Sequence, residues 1–425
     1  MINNLNADFK LNGLGYSNAE DTVECPRHRW YFIKEGFSPV IVEKAIEESQ
    51  LEPKDLIIDP FSGSGTVSVV AALKKQPSIS FEVNPFLAFL SRTKLIQVEQ
   101  KQLNSLKELV LTGINQERIS PLENFSSFSS KKGNSKWLFN KSILRAFEGG
   151  WRVTEGFDSK ARKIFQLILL GSAMDNCNAS RDGKCLRYKK DWQELQFHKE
   201  DFLEAFDKRF QIVLKDLNSC PLDIDRSNSV ILGDSRKVLE PNLTSKFKLC
   251  ITSPPYLNSF DYSDIYRPEL FLGKFINTQA QLVRLRHKTL RSHVQVKWKE
   301  PTEDDFGAMY IESITAIKKK SDDLWNKNIS LMIQAYFEDM NKILKELRGR
   351  AQKGASVWVV VSTSAYVGVE IPVDLIIAEI GTRVGWYLRE VGVLRYLRSS
   401  AQHAIAGEGS NKLRESVVIL DASPK

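Results

Sequence analysis

Cysteine and long apolar segments are both scarce in this 425-residue sequence. It contains only five cysteines, and no two form a Cys-x-x-Cys pair, so neither a zinc ribbon nor a redox dithiol is indicated and reduced thiols are expected. The longest nearly apolar run, residues 164–174, is too short to cross a bilayer, and residues 1–11 lack the charged-then-apolar pattern of a signal peptide. We therefore expect a cytoplasmic protein with no membrane segment and no metal site.

A glycine-rich turn follows the first clear strand signal. Residues 55–58 read as a short central strand, residues 59–66 read Asp-Pro-Phe-Ser-Gly-Ser-Gly-Thr, and residues 67–75 have helical spacing. Glycines 63 and 65 allow a tight turn and close approach to a ligand, and the helix start offers amide donors to a carboxylate. The turn has neither the Gly-Lys-Ser/Thr ending of a phosphate loop nor the Gly-x-Gly-x-x-Gly dinucleotide pattern. A triphosphate is therefore not the expected ligand, although such turns occur in many α/β proteins.

Two further predicted strands end in acidic residues. Residues 79–81 lead to Glu82, and residues 230–232 lead to Gly233-Asp234-Ser235. An acid at the end of the second strand suits a ribose diol, and an acid at the third strand can accept from an adenine amino group. Each acid alone is more often a solvated loop residue. Their order along the chain, at the carboxyl ends of successive strands, predicts one ligand site.

A second motif, Thr252-Ser253-Pro254-Pro255-Tyr256, closes another hydrophobic strand. A nucleobase amine is a poor nucleophile because its lone pair is delocalised, and two acceptors on its hydrogens would restore that lone pair. The Ser253 hydroxyl and the Pro254 carbonyl oxygen are the candidate acceptors, since the two prolines fix where that oxygen points. Tyr256 offers a face on which an extruded base can stack. Without the glycine-rich turn, an ordinary rigid turn would be the better interpretation.

Together these residues resemble the S-adenosylmethionine-dependent amino methyltransferases of DNA. The donor motif of that family reads Asp-Pro-Phe-x-Gly-Ser-Gly-Thr, and its cytosine-N4 branch has the catalytic motif Ser-Pro-Pro-Tyr. Members that act on adenine or other amides usually carry Asp or Asn in place of the serine. The resemblance implies S-adenosylmethionine as cofactor and methylation of cytosine N4 in a flipped base. Adenine N6, an amino group in RNA, or a catalytically silent DNA-binding subunit remain alternatives.

Methylation at cytosine C5 is disfavoured, because that chemistry needs a thiolate within a Pro-Cys dipeptide and none of the cysteines follows a proline. The resemblance also implies double-stranded DNA and a cognate restriction endonuclease as partners, and says nothing of the oligomeric state. The predicted catalytic residues are Ser253, Pro254, Pro255 and Tyr256, and the predicted donor-binding residues are Asp59, Phe61, Gly63, Gly65, Thr66, Glu82, Asp234, Ser235, Thr252 and Tyr31.

An aromatic and basic segment, residues 27–39, precedes a predicted amphipathic helix at 40–49. In the family, a similar segment packs over the methionine end of the donor, which makes Tyr31, Lys34 and Phe37 candidates. The family's spacing of His, Tyr and Lys is only partly kept. A plain aromatic packing lid is an equally good interpretation.

Basic residues are concentrated after the second motif. The formal charge is +8 with a pI near 9.0, and residues 267–300 carry eight basic residues against two acidic ones. Such a cluster can neutralise phosphates without reading sequence, although a solvated basic helix face would look the same. A second basic stretch spans residues 181–190. The predicted DNA contacts are Arg284, Arg286, Lys288, Arg291, Lys297, Arg187 and Lys189.

The predicted fold is α/β: a Rossmann-like, seven-stranded class I methyltransferase sheet with a terminal antiparallel hairpin and a helical insertion. We divide the chain into a donor-binding half at 1–96, a helical insertion at 97–226, and a catalytic half at 227–425 that contains the basic segment 262–328. Helical periodicity within the insertion covers 101–111, 137–149, 158–178 and 198–217, and residues 124–135 read as a mobile loop. The remaining signals are strands at 357–361, 386–396 and 416–420, and a helix at 373–383.

Overall fold

The computed structural model describes residues 5–6, 9, 19–133, 135–181, 185–223, 228–242, 245–397 and 413–424. Twelve strands occur in these ranges: β1 Leu5–Asn6, β2 Ile57–Asp59, β3 Ser78–Glu82, β4 Ala179–Arg181, β5 Leu186–Tyr188, β6 Asn228–Leu232, β7 Phe247–Thr252, β8 Ala351–Ser362, β9 Ser364–Tyr366, β10 Val369–Ile371, β11 Tyr387–Tyr396 and β12 Arg414–Asp421.

Fourteen α-helices lie in the same ranges: α1 Pro39–Ser49, α2 Thr66–Leu73, α3 Pro85–Lys94, α4 Gln100–Gln116, α5 Lys141–Thr154, α6 Ser159–Asp175, α7 Lys199–Ser219, α8 Ser235–Asn242, α9 Tyr262–Ile265, α10 Arg267–Leu272, α11 Gln279–Arg286, α12 Ala308–Lys319, α13 Ile329–Arg350 and α14 Val373–Arg383. Short 3₁₀ helices span Glu20–Val23, His28–Trp30 and Ser321–Asp323. None of the helices in the described ranges has the length and apolar character that a membrane crossing requires.

The main sheet has the strand order β1-β11-β12-β8-β7-β2-β3-β6. Strands β6, β3, β2, β7 and β8 are mutually parallel, and β12 runs antiparallel to both β8 and β11. The seven predicted strands are all present, and the predicted terminal hairpin is β11–β12. The Rossmann-like, seven-stranded class I methyltransferase fold is therefore confirmed. The two-residue strand β1, which pairs with β11, adds an edge that the sequence did not predict.

The central strands form because their sequences suit burial on both faces. Strand β2 is buried at every residue, and β7 at all but one, as expected where helices cover both sides of a parallel sheet. The flanking helices begin at clear capping residues. The side-chain oxygen of Ser38 accepts from the Val40 amide at the start of α1, and Asn84 accepts from two amides at the start of α3.

Residues 97–226 contain the four helices α4–α7 and the short β4–β5 hairpin. Helices α4 and α5 touch at Gly113 and Gly149, where a Cβ on Gly149 would lie 2.2 Å from the Gly113 carbonyl oxygen. The insertion shares one core with α3 and α10, so the division at 97 and 226 stays a prediction. Residues 124–133 and 135 form no helix or strand, as predicted. Phe128 is fully buried against Phe271, however, which anchors the segment and argues against the predicted mobile loop.

Candidate functional site

A cavity of about 300 Å³ lies at the edge of the sheet where β2, β3, β6 and β7 end. Parallel strands place their carboxyl ends at one edge, which brings together residues that are nearly 200 positions apart in sequence. Both sequence motifs contribute to the wall. The predicted site residues that line it are Phe61, Gly63, Glu82, Asp234, Ser235, Ser253, Pro254, Pro255 and Tyr256, with Lys288 from the basic segment.

The glycine-rich turn needs its glycines for backbone geometry and packing. Gly63 and Gly65 have φ values of 50° and 84°, in the left-handed region, and a Cβ on Gly65 would lie 2.9 Å from Ser91 of α3. Their amides do not face the cavity as donors. The Gly63 amide donates to Oε2 of Glu82 at 2.8 Å, and the Gly65 amide donates to the carbonyl oxygen of Ser62 at 2.8 Å. The amides of Gly63 and Gly65 are therefore taken up within the protein, and the expectation that amides at the start of α2 serve a ligand carboxylate stays a prediction.

Glu82 is held by two main-chain donors. Oε1 accepts from the Asn84 amide and Oε2 from the Gly63 amide, both at 2.8 Å. Burial raises the pKa of Glu82 to about 7, against the opposing effect of the main-chain donors of Asn84, Gly63 and Val83. Each carboxylate oxygen has two lone pairs, so each keeps one acceptor position open beside the cavity. Glu82 can therefore accept two parallel donors from a ligand.

Asp234 is paired with Arg236. Arg236 donates from Nε to Oδ1 at 2.9 Å and from Nη2 to Oδ2 at 2.9 Å, and its amide also reaches Oδ1 at 3.1 Å. Oδ1 is thus saturated, whereas Oδ2 keeps one lone pair. Nη1 of the same guanidinium donates to Asp339 at 2.7 Å. Asp234 can accept one donor from a ligand while its position is fixed by this ion pair.

Several predicted donor-binding residues stand behind the cavity wall. Asp59 is fully buried and accepts from the Phe61 amide at 2.9 Å and from Oγ1 of Thr252 at 2.6 Å, and burial raises its pKa to about 7. Thr66 and Gly65 are also outside the lining. Four of the predicted donor-binding residues thus lie behind the wall and do not line the cavity. They are Asp59, Gly65, Thr66 and Thr252.

Of the three candidate residues in the aromatic and basic segment 27–39, some also lie outside the cavity wall. Tyr31 lies outside the cavity lining, packs edge-on against Phe86, and donates its hydroxyl to Oε1 of Glu269 at 2.6 Å. Phe37 belongs to the core under α1 and α2. Only Lys34 of the three candidates lines the cavity. The packing interpretation therefore describes Tyr31 and Phe37 in this structure.

The catalytic motif forms a tethered loop. The Tyr256 hydroxyl donates to Oε1 of Glu415 at 2.5 Å, and Arg395 donates from Nε to Oε2 of Glu415 at 2.8 Å. Burial and the neighbouring Glu415 carboxylate raise the pKa of Tyr256 well above its usual value, so the phenol stays neutral and keeps this bond. The Leu257 carbonyl, one residue on, accepts from the Tyr366 hydroxyl at 3.1 Å. The loop is thus fixed from two sides.

The predicted basic residues differ in how far they are buried. Arg286 donates to Asp261 at 2.5 Å, and Arg291 is buried and pairs with Asp339 at 2.7 Å and with Glu338. These two side chains are bound within the protein, so we do not retain them as phosphate contacts. Lys189 donates to the Asp175 carbonyl at 3.4 Å. The exposed members are Arg284, Lys288, Lys297 and Arg187. Residues 182–184 of the second basic stretch lie outside the described residues.

Among the polar residues of the cavity wall that sequence reasoning missed are Glu35, His293, Arg395 and Glu415. Glu35 accepts from the Tyr266 hydroxyl through Oε2 at 2.8 Å, while its buried Oε1 accepts from no residue in the described ranges. His293 is buried in the basic segment, and burial lowers its pKa. Glu35 lies within the segment 27–39 and His293 within the basic segment 262–328, but neither residue was singled out there. Arg395 and Glu415 reach the site only through folding and carried no local signal of a role in it.

No protein-family model matches the sequence. The chain is 25% identical to the Type II methyltransferase M.BsoBI of Geobacillus stearothermophilus, over 93% of this chain and 85% of that protein. It is 24% identical to the Type II methyltransferase M.AvaI of Anabaena variabilis, over 93% of this chain and 86% of that protein.

Among solved structures, TrmN from Thermus thermophilus matches with a TM-score of 0.31 and 8% identity, covering 93% of this chain and 52% of that one. The rRNA methyltransferase aviRa from Streptomyces viridochromogenes matches with a TM-score of 0.32 and 11% identity, covering 95% of this chain and 92% of that one. TM-scores of this size carry no functional argument. In sequence, however, the chain is similar over 93% of its length to Type II methyltransferases.

Proposed function

We propose that this protein transfers a methyl group from S-adenosylmethionine to the N4 amino group of cytosine in double-stranded DNA. The observation that carries the proposal is the shared cavity, whose wall contains the glycine-rich turn, Glu82, Asp234 and the Ser253-Pro254 loop. The similarity to Type II methyltransferases supports a role in restriction and modification beside a cognate endonuclease.

The residues of the wall fit the parts of this cofactor. Glu82 offers two acceptor positions to the ribose diol, and Oδ2 of Asp234 offers one to the adenine amino group. Oε1 of Glu35 is a buried acceptor with no described partner, which suits the α-ammonium group. The cavity volume of about 300 Å³ lies at the lower end of the range for small-molecule sites. When bound, the cofactor supplies an electrophilic methyl group on its sulfonium.

The Ser253-Pro254 loop prepares the nucleophile. Oγ of Ser253 and the main-chain oxygen of Pro254 accept the two hydrogens of the exocyclic amine, which directs its lone pair at the methyl carbon. As the N–CH3 bond forms, the S–CH3 bond would break and leave S-adenosylhomocysteine. The same two oxygens would stabilise the positive charge on the nitrogen until its surplus proton passes to water. The ring of Tyr256, tethered through Glu415, provides the stacking surface for a base flipped out of the duplex. Holding the two reactants in line contributes further to the rate.

The exposed basic residues beside the cavity would bind the DNA backbone. Lys288 lines the cavity itself, and Arg284 and Lys297 lie on the same segment. Contacts of this kind neutralise phosphates and set the position of the duplex without reading its sequence.

Base-resolution sequencing of methylated positions tests the proposal in cells. DNA from cells that express the wild-type protein should carry N4-methylcytosine at one short motif, and DNA from cells that express Ser253→Ala should not. N6-methyladenine in place of N4-methylcytosine would assign the acceptor to adenine. A methyl mark found on RNA alone would refute the choice of DNA. Equal biological activity of the wild type, Ser253→Ala and Tyr256→Ala without any mark would indicate a silent DNA-binding subunit.

A further inference from the structure

Arg395 and Glu415 reach the cavity from the terminal hairpin, far along the chain from the catalytic motif. They are register partners on β11 and β12, and both line the cavity together with Ser253 to Tyr256. Glu415 is almost fully buried, with 4% of its side chain exposed, while 39% of the Arg395 side chain is exposed. The pair therefore belongs to the cavity wall, with a buried carboxylate and a partly exposed guanidinium.

Glu415 fixes both neighbours. One carboxylate oxygen accepts from the Tyr256 hydroxyl at 2.5 Å and the other accepts from Nε of Arg395 at 2.8 Å. Nη1 and Nη2 of Arg395 make no hydrogen bond to any residue in the described ranges. The guanidinium is thus oriented through Nε, tied to the stacking residue by one carboxylate, and keeps its terminal donors for another partner.

A cytosine in this cavity presents its hydrogen-bonding groups in a fixed order. Beyond the N4 amine come N3 and O2, which are two adjacent acceptors, whereas adenine presents N1 and then a C–H group beyond its N6 amine. A guanidinium carries parallel N–H donors in a planar fork that matches two adjacent acceptors. With the amine held at Ser253 and Pro254, such a fork satisfies cytosine and leaves one donor unsatisfied against adenine.

We infer that Arg395 is the residue that selects cytosine over adenine, by donating to N3 and O2 of the flipped base while Glu415 holds it beside Tyr256. The inference rests on the proposed function and adds to it the physical origin of base choice. The serine of the catalytic motif does not itself supply this selectivity, because a hydroxyl accepts from the amine of either base.

A matched arginine on the same hairpin provides the control. Arg389 also lies on β11 and pairs with a carboxylate of β12, donating from Nε to Asp421 at 2.8 Å, but it does not line the cavity. Both Arg395→Gln and Arg389→Gln remove an arginine–carboxylate pair between β11 and β12. Only Arg395→Gln should also remove a contact to the base.

The experiment uses PCR-amplified bacterial genomic DNA, which carries no methyl marks, and measures N4-methylcytosine and N6-methyladenine by nucleoside mass spectrometry. Arg395→Gln should lower the rate of N4-methylcytosine formation by about 10- to 100-fold, the loss expected for one bidentate base contact. It should also raise the share of adenine among methylated bases. Binding of S-adenosylhomocysteine, measured by calorimetry, should stay within about twofold of wild type, because the cofactor end of the cavity is intact.

Arg395→Lys separates the selection of cytosine from the structural role of the ion pair with Glu415. A lysine keeps the charge beside Glu415 but lacks the planar fork, so the folded variant should still lose base selectivity. Arg389→Gln should keep the wild-type rate and selectivity. Wild-type rate and selectivity in Arg395→Gln, or loss of S-adenosylhomocysteine binding in both Arg395 variants, would overturn the assignment of Arg395 and leave the proposed function standing. A wild-type protein that forms no N4-methylcytosine would overturn both.

Discussion

Thr252 donates its side-chain hydroxyl to Oδ1 of Asp59 at 2.6 Å, across the seam between β7 and β2. The two residues are 193 positions apart, and each closes the strand that leads into one of the two motifs. Both are buried, and neither lines the cavity. This bond therefore sets the relative position of the glycine-rich turn and the Ser253–Tyr256 loop.

Replacing this hydroxyl by a methyl group should misalign the two motifs. Thr252→Val keeps the side-chain volume but removes the bond, which should lower the free energy of unfolding by about 1–2 kcal/mol. Because catalysis depends on alignment, kcat/KM should fall by about tenfold. Urea unfolding and single-turnover methylation check the two effects.

The control for Thr252→Val is Ser416→Ala, which removes another buried hydroxyl that donates to a carboxylate, Asp374, at 2.8 Å. It should cost similar stability and leave kcat/KM unchanged, because Ser416 does not line the cavity. Equal losses of kcat/KM in the two variants would show that Thr252 has no special positioning role.

Cofactor affinity should depend on pH through Glu82. Burial raises the pKa of this carboxyl from 4.5 to about 7, and a ribose diol donates to the ionised form. A protonated carboxyl must lose its proton before it can accept both hydroxyls, so affinity rises as pH rises through 7. The dissociation constant of S-adenosylhomocysteine should fall by about tenfold between pH 6 and pH 8, as measured by calorimetry. In Glu82→Gln the affinity for S-adenosylhomocysteine should no longer depend on pH in this range. If it still did, another titratable group would have to be the cause.

The two functions of Tyr256 can be separated. Tyr256→Phe keeps the aromatic face and loses the hydroxyl's bonds to Ser253 and to Glu415, which Arg395 still pairs, so methylation should slow by less than about tenfold. Tyr256→Ala removes the stacking surface, worth about 1–3 kcal/mol, and should slow methylation by about 10- to 100-fold. Methylation rates of the two variants, measured on the same DNA, separate the effect of the hydroxyl from that of the ring. Equal rates for Tyr256→Ala and Tyr256→Phe would contradict a stacking role.

Substitution of Arg291 should mainly affect stability, whereas substitution of Lys297 should mainly affect DNA binding. Arg291→Ala removes one of the two guanidinium partners of the buried Asp339 carboxylate and leaves Arg236, so it should lower the free energy of unfolding by about 2 kcal/mol. Lys297→Ala should change stability by less than about 0.5 kcal/mol, since the side chain is exposed. It should weaken DNA binding and reduce the salt slope of log Kd by about 1. An unchanged slope would remove Lys297 from the DNA surface.

The sequence predicted those parts of the site that lie next to a strand end. Apolar runs that stop at Asp59, Glu82, Asp234 and Ser253 locate the edge of the sheet, because parallel strands end together. Helix α14 begins and ends at the predicted residues, since its apolar period is regular. The glycine-rich turn was located correctly. The bonds from the Gly63 amide to Glu82 and from the Gly65 amide to Ser62 could not be predicted, because they depend on how the neighbouring strands and the turn pack.

The rest of the site depends on long-range pairing. Arg395 and Glu415 face the cavity only because β12 inserts between β8 and β11, and no local pattern marks that register. The basic segment shows the same effect: its charge count did not reveal that Arg291 is neutralised by Asp339 on α13. The three-residue strands β4 and β5 were also not predicted, because such short strands carry no periodic signal.

The central claim is that one cavity holds a methyl donor against a cytosine amine. Incubation of unmethylated double-stranded DNA with methyl-labelled S-adenosylmethionine, followed by nucleoside mass spectrometry, tests it most directly. We predict labelled N4-methylcytosine with the wild-type protein and loss of the label with Ser253→Ala. Labelled N6-methyladenine alone, or no labelled nucleoside from any DNA, would contradict the account.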